Sequence, residues 1–258
     1  MGIVNATPDS FSGDGVVAPD AAAALGRRLL AEGADVIDVG GESSRPGATG
    51  VPVAEELGRV VPVIERLAGD RGMTVCVDTT KAEVARRAVR AGAAMLNDVS
   101  ALRGDPEMTA VAAETRVPVV LMHARSEPRR PTAGAADIVA EVLSFLEERI
   151  EAAVAGGVSR ERLMIDPGFG FGKTVQENLE LLRRLGEFRV LGLPVVIGTS
   201  RKGTIGKVLG GLPASERLEG TAATVAVAIT QGVDIIRVHD VTAMVRVARM
   251  TDAIVRSG

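Results

Sequence analysis

The sequence predicts a closed eight-stranded parallel α/β barrel, (β/α)8 in class. Three observations predict it. Eight short apolar runs recur along the 258 residues, and a polar or glycine-rich break follows each one before a stretch rich in Ala, Leu, Glu and Arg. The runs are apolar nearly throughout rather than alternately, as strands of a parallel sheet covered on both faces must be. Eight such units fill about 250 residues, the usual span of the barrel. The competing arrangement, an open doubly wound sheet, needs a Gly-rich dinucleotide turn after an early strand, and none stands there. No linker or compositional shift divides the chain, so a single domain over 1–258 is expected.

In chain order, "GIVN" leads to a helix near 19–32, "DVIDVG" to one near 53–68, "TVCVD" to 81–91 and "AMLND" to 106–115. "VPVVLMH" then leads to 136–155, "RLMIDPG" to 175–186, "PVVIGTS" to 215–231 and "DIIRVHD" to 241–256. The β-branched runs favour strands, the Ala/Leu/Glu/Arg stretches favour helices, and Gly and Pro punctuate between them.

Composition narrows the function. With 46% hydrophobic residues, a net charge of −3 and neither Trp nor Tyr, the chain lacks the basic and aromatic surfaces of a nucleic-acid binder. The opening "MGIVNATPDSFSGDG" lacks the parts of a secretory signal, and no apolar run is long enough to span a bilayer. A cytoplasmic protein acting on small molecules is expected. The one cysteine, Cys76, sits in the apolar run "MTVCVD" and reads as a buried, inert thiol.

Active sites of this architecture form where strands end and βα loops begin. There the sequence places Asn5, Asp78, Asn97 with Asp98, His123, Asp166, and the group Arg237, His239 and Asp240; "GGESSRPGA" and "GTSRKG" follow the second and seventh strands. Any one of them alone reads equally well as a cap or a rim hydrogen bond. Together they describe a two-ended ligand. Arg45, Arg237 and His239 suit an anion, with Asp240 capping the last helix and the alternative for Arg237 a structural ion pair inside the barrel. Asp78, Asn97, Asp166 and Lys202 suit the edge of a flat amino-pyrimidinone heterocycle. Two histidines widely separated in sequence supply a zinc site poorly, whereas an oxygen-only Mg²⁺ site that includes Asn5 and substrate phosphates remains open. "DPGFGFGKT" lacks the spacing of a nucleotide-binding loop; its glycines bend the backbone while Phe169 and Phe171 offer flat surfaces.

The motifs "MGIVNATPDSFS", "GGESSRPGA", "VDTTK", "NDVS", "MH", "DPGFGFGK", "SRK" and "RVHD", in this order, resemble the dihydropteroate synthase family over essentially the whole chain. The resemblance implies condensation of 6-hydroxymethyl-7,8-dihydropterin diphosphate with p-aminobenzoate, assisted by Mg²⁺, in a cytoplasmic homodimer that sulfonamides target. It implies Asp78, Asn97, Val99, Met122, Asp166 and Lys202 as pterin contacts, and Asn5, Arg45, Arg237 and His239 as diphosphate contacts, with Asn5 also facing the metal. Phe11, Ser44, Pro46, Phe171, Lys202 and Gly203 would meet p-aminobenzoate, with Asp14 in the same loop as Phe11; Asp78, Asp166, Lys202 and Arg237 would be catalytic.

Four departures from the family pattern stand out. Asp14 is displaced by one position in "SFSGDG", Ser44 replaces a usual Thr, Gly203 stands where many members have Ser, and the first strand is expected to start at residue 2, ahead of where the family's leading segment would end. Two other readings share the pterin wall: a pterin-binding methyltransferase domain, which has no need of a diphosphate grip, and a non-catalytic pterin-binding paralogue.

Overall fold

The computed structural model describes residues 1–7, 15–16, 18–43, 50–125 and 137–256. Among these residues the strands are β1 (Gly2–Asn5), β2 (Ile37–Gly40), β3 (Val75–Asp78), β4 (Met95–Asp98), β5 (Val119–Met122), β6 (Leu163–Asp166), β7 (Val196–Ile197) and β8 (Ile235–Ile236). The helices are α1 (Pro19–Ala31), α2 (Val53–Ala68), α3 (Ala82–Arg90), α4 (Met108–Thr115), α5 (Ile138–Ala155), α6 (Val175–Arg183), α7 (Gly203–Val208), α8 (Leu218–Thr230) and α9 (Val241–Val255).

The first six strands form one parallel sheet in sequence order, and β7 pairs with β8. Two parallel bridges join the pieces, Ile165 to Val195 and Gly2 to Val238, so the ring closes. The closure is held by backbone bonds from Ile165 N to Pro194 O at 3.0 Å and from Ile3 N to Val238 O at 3.1 Å. Both late strands are shorter than the runs "PVVIGTS" and "DIIRVHD" suggest. Val195 N donates to the Asp234 carboxylate at 2.8 Å rather than to a neighbouring strand, and regular pairing is confined to two residues on each.

Alternation sorts the strand residues into two populations. Val39, Val77, Leu96, Leu121 and Ile165 join the large cluster packed against the helices, while Met1, Cys76, Met95, Val120, Met164 and Val196 form a separate cluster inside the ring. Cys76 is buried and free, and burial pushes its thiol up, which leaves it inert as expected.

The helices lie where the sequence places them, with one addition. After β7 the chain forms the six-residue α7 before α8, because Lys202–Thr204 turn directly into a helical path that the glycine-rich composition of "RKGTIG" conceals. A box at Thr174, whose hydroxyl accepts from Glu177 N while the Glu177 carboxylate accepts from Thr174 N, starts α6. Arg125 then fastens α5 to α6 by donating to Glu141 at 2.7 and 2.5 Å and to Glu177 at 2.7 Å. No helix among the described residues is long and apolar enough to cross a membrane.

Candidate active site

Strand parity decides which polar groups can meet. Asn5, Asp38, Asp78, Asn97, Met122, Asp166 and Arg237 share the inward parity, most of them at the C-terminal ends of their strands. Register brings Asp78 beside Asn97 and Met122 beside Asp166. Asp98 and His123 fall on the outward parity and serve the frame. Asp98 accepts from Ser100 N at 2.7 Å and Leu102 N at 2.9 Å, which holds Ala101 and Leu102 in left-handed conformations. His123 packs edge-on against Phe145 at 4.8 Å, and burial draws its imidazole down to about 3, so it is neutral.

Arg237 organises the centre of the mouth. Its Nε donates to Asp38 Oδ2 at 2.5 Å and its Nη2 to Asp78 Oδ2 at 2.8 Å, while Asn97 Nδ2 donates to the same Asp38 oxygen at 3.2 Å. The ion pair given above as the alternative for Arg237 is therefore present. Burial pushes Asp78 up to about 7 even though Arg237 pulls it down. Burial also works against the charge of Arg237, and Asp38 and Asp78 more than offset it, holding the guanidinium above its ordinary value.

Sequence reasoning passed over Asp38, which is completely buried. Its signal was available: it is an acid inside the apolar run "DVIDVG", two residues before Gly40 and on the same parity as Asp78's inward side chain.

Asp166 and Lys202 lie next round the mouth. Gly168 N donates to Asp166 Oδ1 at 2.7 Å, and burial raises the carboxyl above its usual range while Lys202 pulls it down. The Lys202 ammonium donates to the Phe169 carbonyl and stands 4.2 Å from the centroid of the Phe171 ring. Burial draws Lys202 down to about 7, against the pull of Asp166. Lys173, weighed in the sequence only as part of a nucleotide-loop lookalike, is buried beside them and is drawn to about 7 by the same cause. Val99 and Asp78 line one small cavity of about 50 Å³, and Met122 is buried at the end of β5.

On the other side of the mouth, between α1 and α9, lies a cavity of about 620 Å³ lined by Ile3, Val16, Arg201, His239 and the first turn of α9 among others. Ser200 Oγ lies 2.9 Å from His239 Nδ1 and accepts from His239 N at 3.2 Å. Asp240 does not cap α9 as the sequence suggests. Its carboxylate instead takes a two-pronged bond from Arg201, at 2.9 and 2.5 Å, and the helix start is left without a side-chain cap. The spacing of Arg237 and His239, two apart in "RVHDV", predicts a shared strand face, but β8 ends at Ile236 and the two side chains go to different partners.

Asn5 closes β1, and its carbonyl accepts from Val16 N at 2.9 Å. Gly203 opens α7 beside Lys202, with nothing within 4 Å of where a Cβ would stand. Phe11, Asp14, Ser44, Arg45 and Pro46 lie outside the described residues.

The pterin binding enzyme family model matches residues 1–239. The dihydropteroate synthase of Bacillus subtilis is 47% identical over 259 residues, covering 100% of this chain and 89% of that protein. The chain belongs to the dihydropteroate synthase family. Among solved members of the family, the Xanthomonas albilineans synthase with 4-aminobenzoic acid is 48% identical and superposes with a TM-score of 0.91, over 98% of this chain and 92% of that one. The same organism's synthase in complex with 7,8-dihydropteroate is 46% identical with a TM-score of 0.87, over the same shares of 98% and 92%. Family membership agrees with the barrel derived from the strand pattern.

Proposed function

We propose that this enzyme condenses 6-hydroxymethyl-7,8-dihydropterin diphosphate with p-aminobenzoate, giving 7,8-dihydropteroate and pyrophosphate. One observation carries the reading: Asp78, Asn97, Asp166 and Lys202 meet at one rim, beside an uncapped helix start flanked by His239 and Arg201. The first group reads a heterocycle that offers N–H donors and a carbonyl. The second takes an anion, since a helix start without a side-chain cap and the helix dipole favour negative charge.

In the reaction, the bond between the pterin methylene carbon and the diphosphate oxygen breaks, and its electron pair leaves with pyrophosphate. The amine nitrogen of p-aminobenzoate then supplies a lone pair to the methylene carbon and loses a proton. Catalysis is charge stabilisation at both ends. Asp78 and Asp166 favour the cationic pterin, with Val99 and Met122 as its apolar walls. Arg237, His239 and Arg45 favour the departing pyrophosphate. Phe171, Lys202 and Gly203 receive p-aminobenzoate together with Phe11, Ser44 and Pro46.

Among the described residues no group of three or more His, Cys, Asp or Glu is placed to hold a metal. A hard cation such as Mg²⁺ needs few protein ligands, because it keeps waters and rides on phosphate oxygens. The Asn5 side-chain oxygen is the protein ligand we assign, and Mg²⁺ bound there would neutralise charge on the diphosphate.

We assign the protein to the cytoplasm and to a homodimer built on α8 and α9, whose Val227, Met250 and Ile254 are exposed apolar side chains. The test is dihydropteroate formation from dihydropterin diphosphate and Mg²⁺, with and without p-aminobenzoate, following pyrophosphate in parallel. Product that requires both substrates is expected; pyrophosphate release without condensation would sink the synthase reading in favour of a paralogue.

A further inference from the structure

Asp166, Phe171 and Lys202 all depend on the loop between β6 and α6, and two buried side chains with no part in the chemistry hold that loop. Lys173 is 7% exposed, and its ammonium donates to three backbone carbonyls: Gly168 at 2.8 Å, His123 at 3.2 Å and Phe171 at 3.3 Å. These acceptors join the end of β5 to both turns of the loop. Asn178, on α6, is buried as well. Its Oδ1 accepts from Gly170 N at 2.6 Å, and its Nδ2 donates to the Thr174 carbonyl at 2.9 Å and the Thr204 hydroxyl of α7 at 3.0 Å.

The path between these posts admits no side chain at two positions. Gly168 and Gly172 have φ of +72° and +61°, and a Cβ on them would stand 1.8 Å from His123 O and 2.2 Å from Arg125 O. Three converging carbonyls need three donors from one point, which among side chains an ammonium supplies. The cost of burying that charge is evident in its pull down to about 7, even with Asp166 nearby to oppose it. What the loop delivers is the Phe169 carbonyl, which accepts from Lys202, and the Phe171 ring under the same ammonium.

We propose that Lys173 and Asn178 are positioning residues for the p-aminobenzoate half of the site, fixing the loop so that the Phe169 carbonyl and the Phe171 ring hold Lys202 in place. The proposal rests on the assignment of Phe171 and Lys202 to that half-site. Displacement of a binding group by a fraction of its length is enough to change substrate capture strongly.

The test is steady-state kinetics of the full chain with both substrates and Mg²⁺, comparing Lys173→Met, Asn178→Ala, Phe171→Ala, the Lys173→Met/Phe171→Ala double variant, and Leu67→Ala. Leu67 lies in the core of α2, far round the barrel, and its truncation controls for lost stability. The KM for p-aminobenzoate should rise about tenfold in Lys173→Met and about threefold in Asn178→Ala, and by more than the KM for the pterin diphosphate; Leu67→Ala should stay within about twofold. The double variant should raise that KM by clearly less than the product of the two single effects, since the lysine acts in part through that ring.

If both posts behave like Leu67→Ala, or if the Lys173 and Phe171 effects simply multiply, the proposal is overturned while the half-site assignment stands. An unchanged KM in Phe171→Ala would instead remove the assignment, and the proposal with it. Should Lys173→Met not fold, Asn178→Ala and its double variant with Phe171→Ala decide by the same criteria.

Discussion

Arg237 and Lys202 look alike in the sequence, two cations on neighbouring rim loops, and the structure separates them. Arg237 is bound to Asp38 and Asp78, so its removal strands a fully buried carboxylate. Arg237→Ala should therefore lose turnover and also about 3–5 kcal/mol of stability, read by chemical denaturation. Lys202 donates to one backbone carbonyl and makes no ion pair within 4 Å among the described residues. Lys202→Ala should lose turnover with a denaturation midpoint close to that of the parent; near-normal activity would remove it from the catalytic set. His123 gives a pH dependence whose sign is fixed by burial. Its imidazole titrates near 3 when folded against an ordinary 6.5, so between those values the unfolded chain binds the extra proton and stability falls as pH falls. From pH 7 to pH 5 the loss from this group is roughly 2 kcal/mol, and His123→Gln should flatten the pH dependence of unfolding by that amount.

Glycines that look equivalent in the sequence do different work in the loops and helices that carry the site. Gly168 holds a left-handed turn with the His123 carbonyl where a side chain would go, whereas Gly203 begins α7 with open space around it. Gly168→Ala should cost about 3 kcal/mol or more in chemical denaturation, from strain and collision together. Gly203→Ser should leave stability within about 0.5 kcal/mol. By returning the hydroxyl that many members of the family carry, it should lower the KM for p-aminobenzoate, and an unchanged KM would show that this position does not touch that substrate. Helix α9 makes the complementary point about capping. "RVHDV" invites a capping aspartate, yet Asp240 turns to Arg201 across the cavity. Local sequence offers the cap; a guanidinium some forty positions earlier takes it.

At the scale of the whole molecule, α8 and α9 pack against each other and present apolar side chains outward, with Met250 63% and Ile254 68% exposed. The two residues are four apart on α9 and so share a face. Introducing charge there, as Met250→Asp with Ile254→Asp, should convert the proposed dimer to monomer in analytical ultracentrifugation while leaving the barrel folded. A parent chain that sediments as a monomer would remove the dimer. The same closed ring explains why so many site residues were legible. In a barrel, residues at strand C-terminal ends on the inward parity converge whatever their distance in sequence, and Asn5, Asp78, Asn97, Met122, Asp166 and Arg237 all satisfy both conditions.

The sequence by itself determined the eight βα units, the end of the barrel at which polar groups gather, and the family, because hydrophobic period, breakers and motif order are local properties of the chain. Tertiary structure alone decided the partners. Asp38 matters because closing the ring brings it to Arg237, 199 residues away. Lys173 matters because His123 O lies across the β5–β6 seam within reach of its ammonium, and His123 is neutral because α5 buries it. Charge in a protein interior is set by what surrounds it, and those surroundings exist only once strands distant in sequence have closed into a ring.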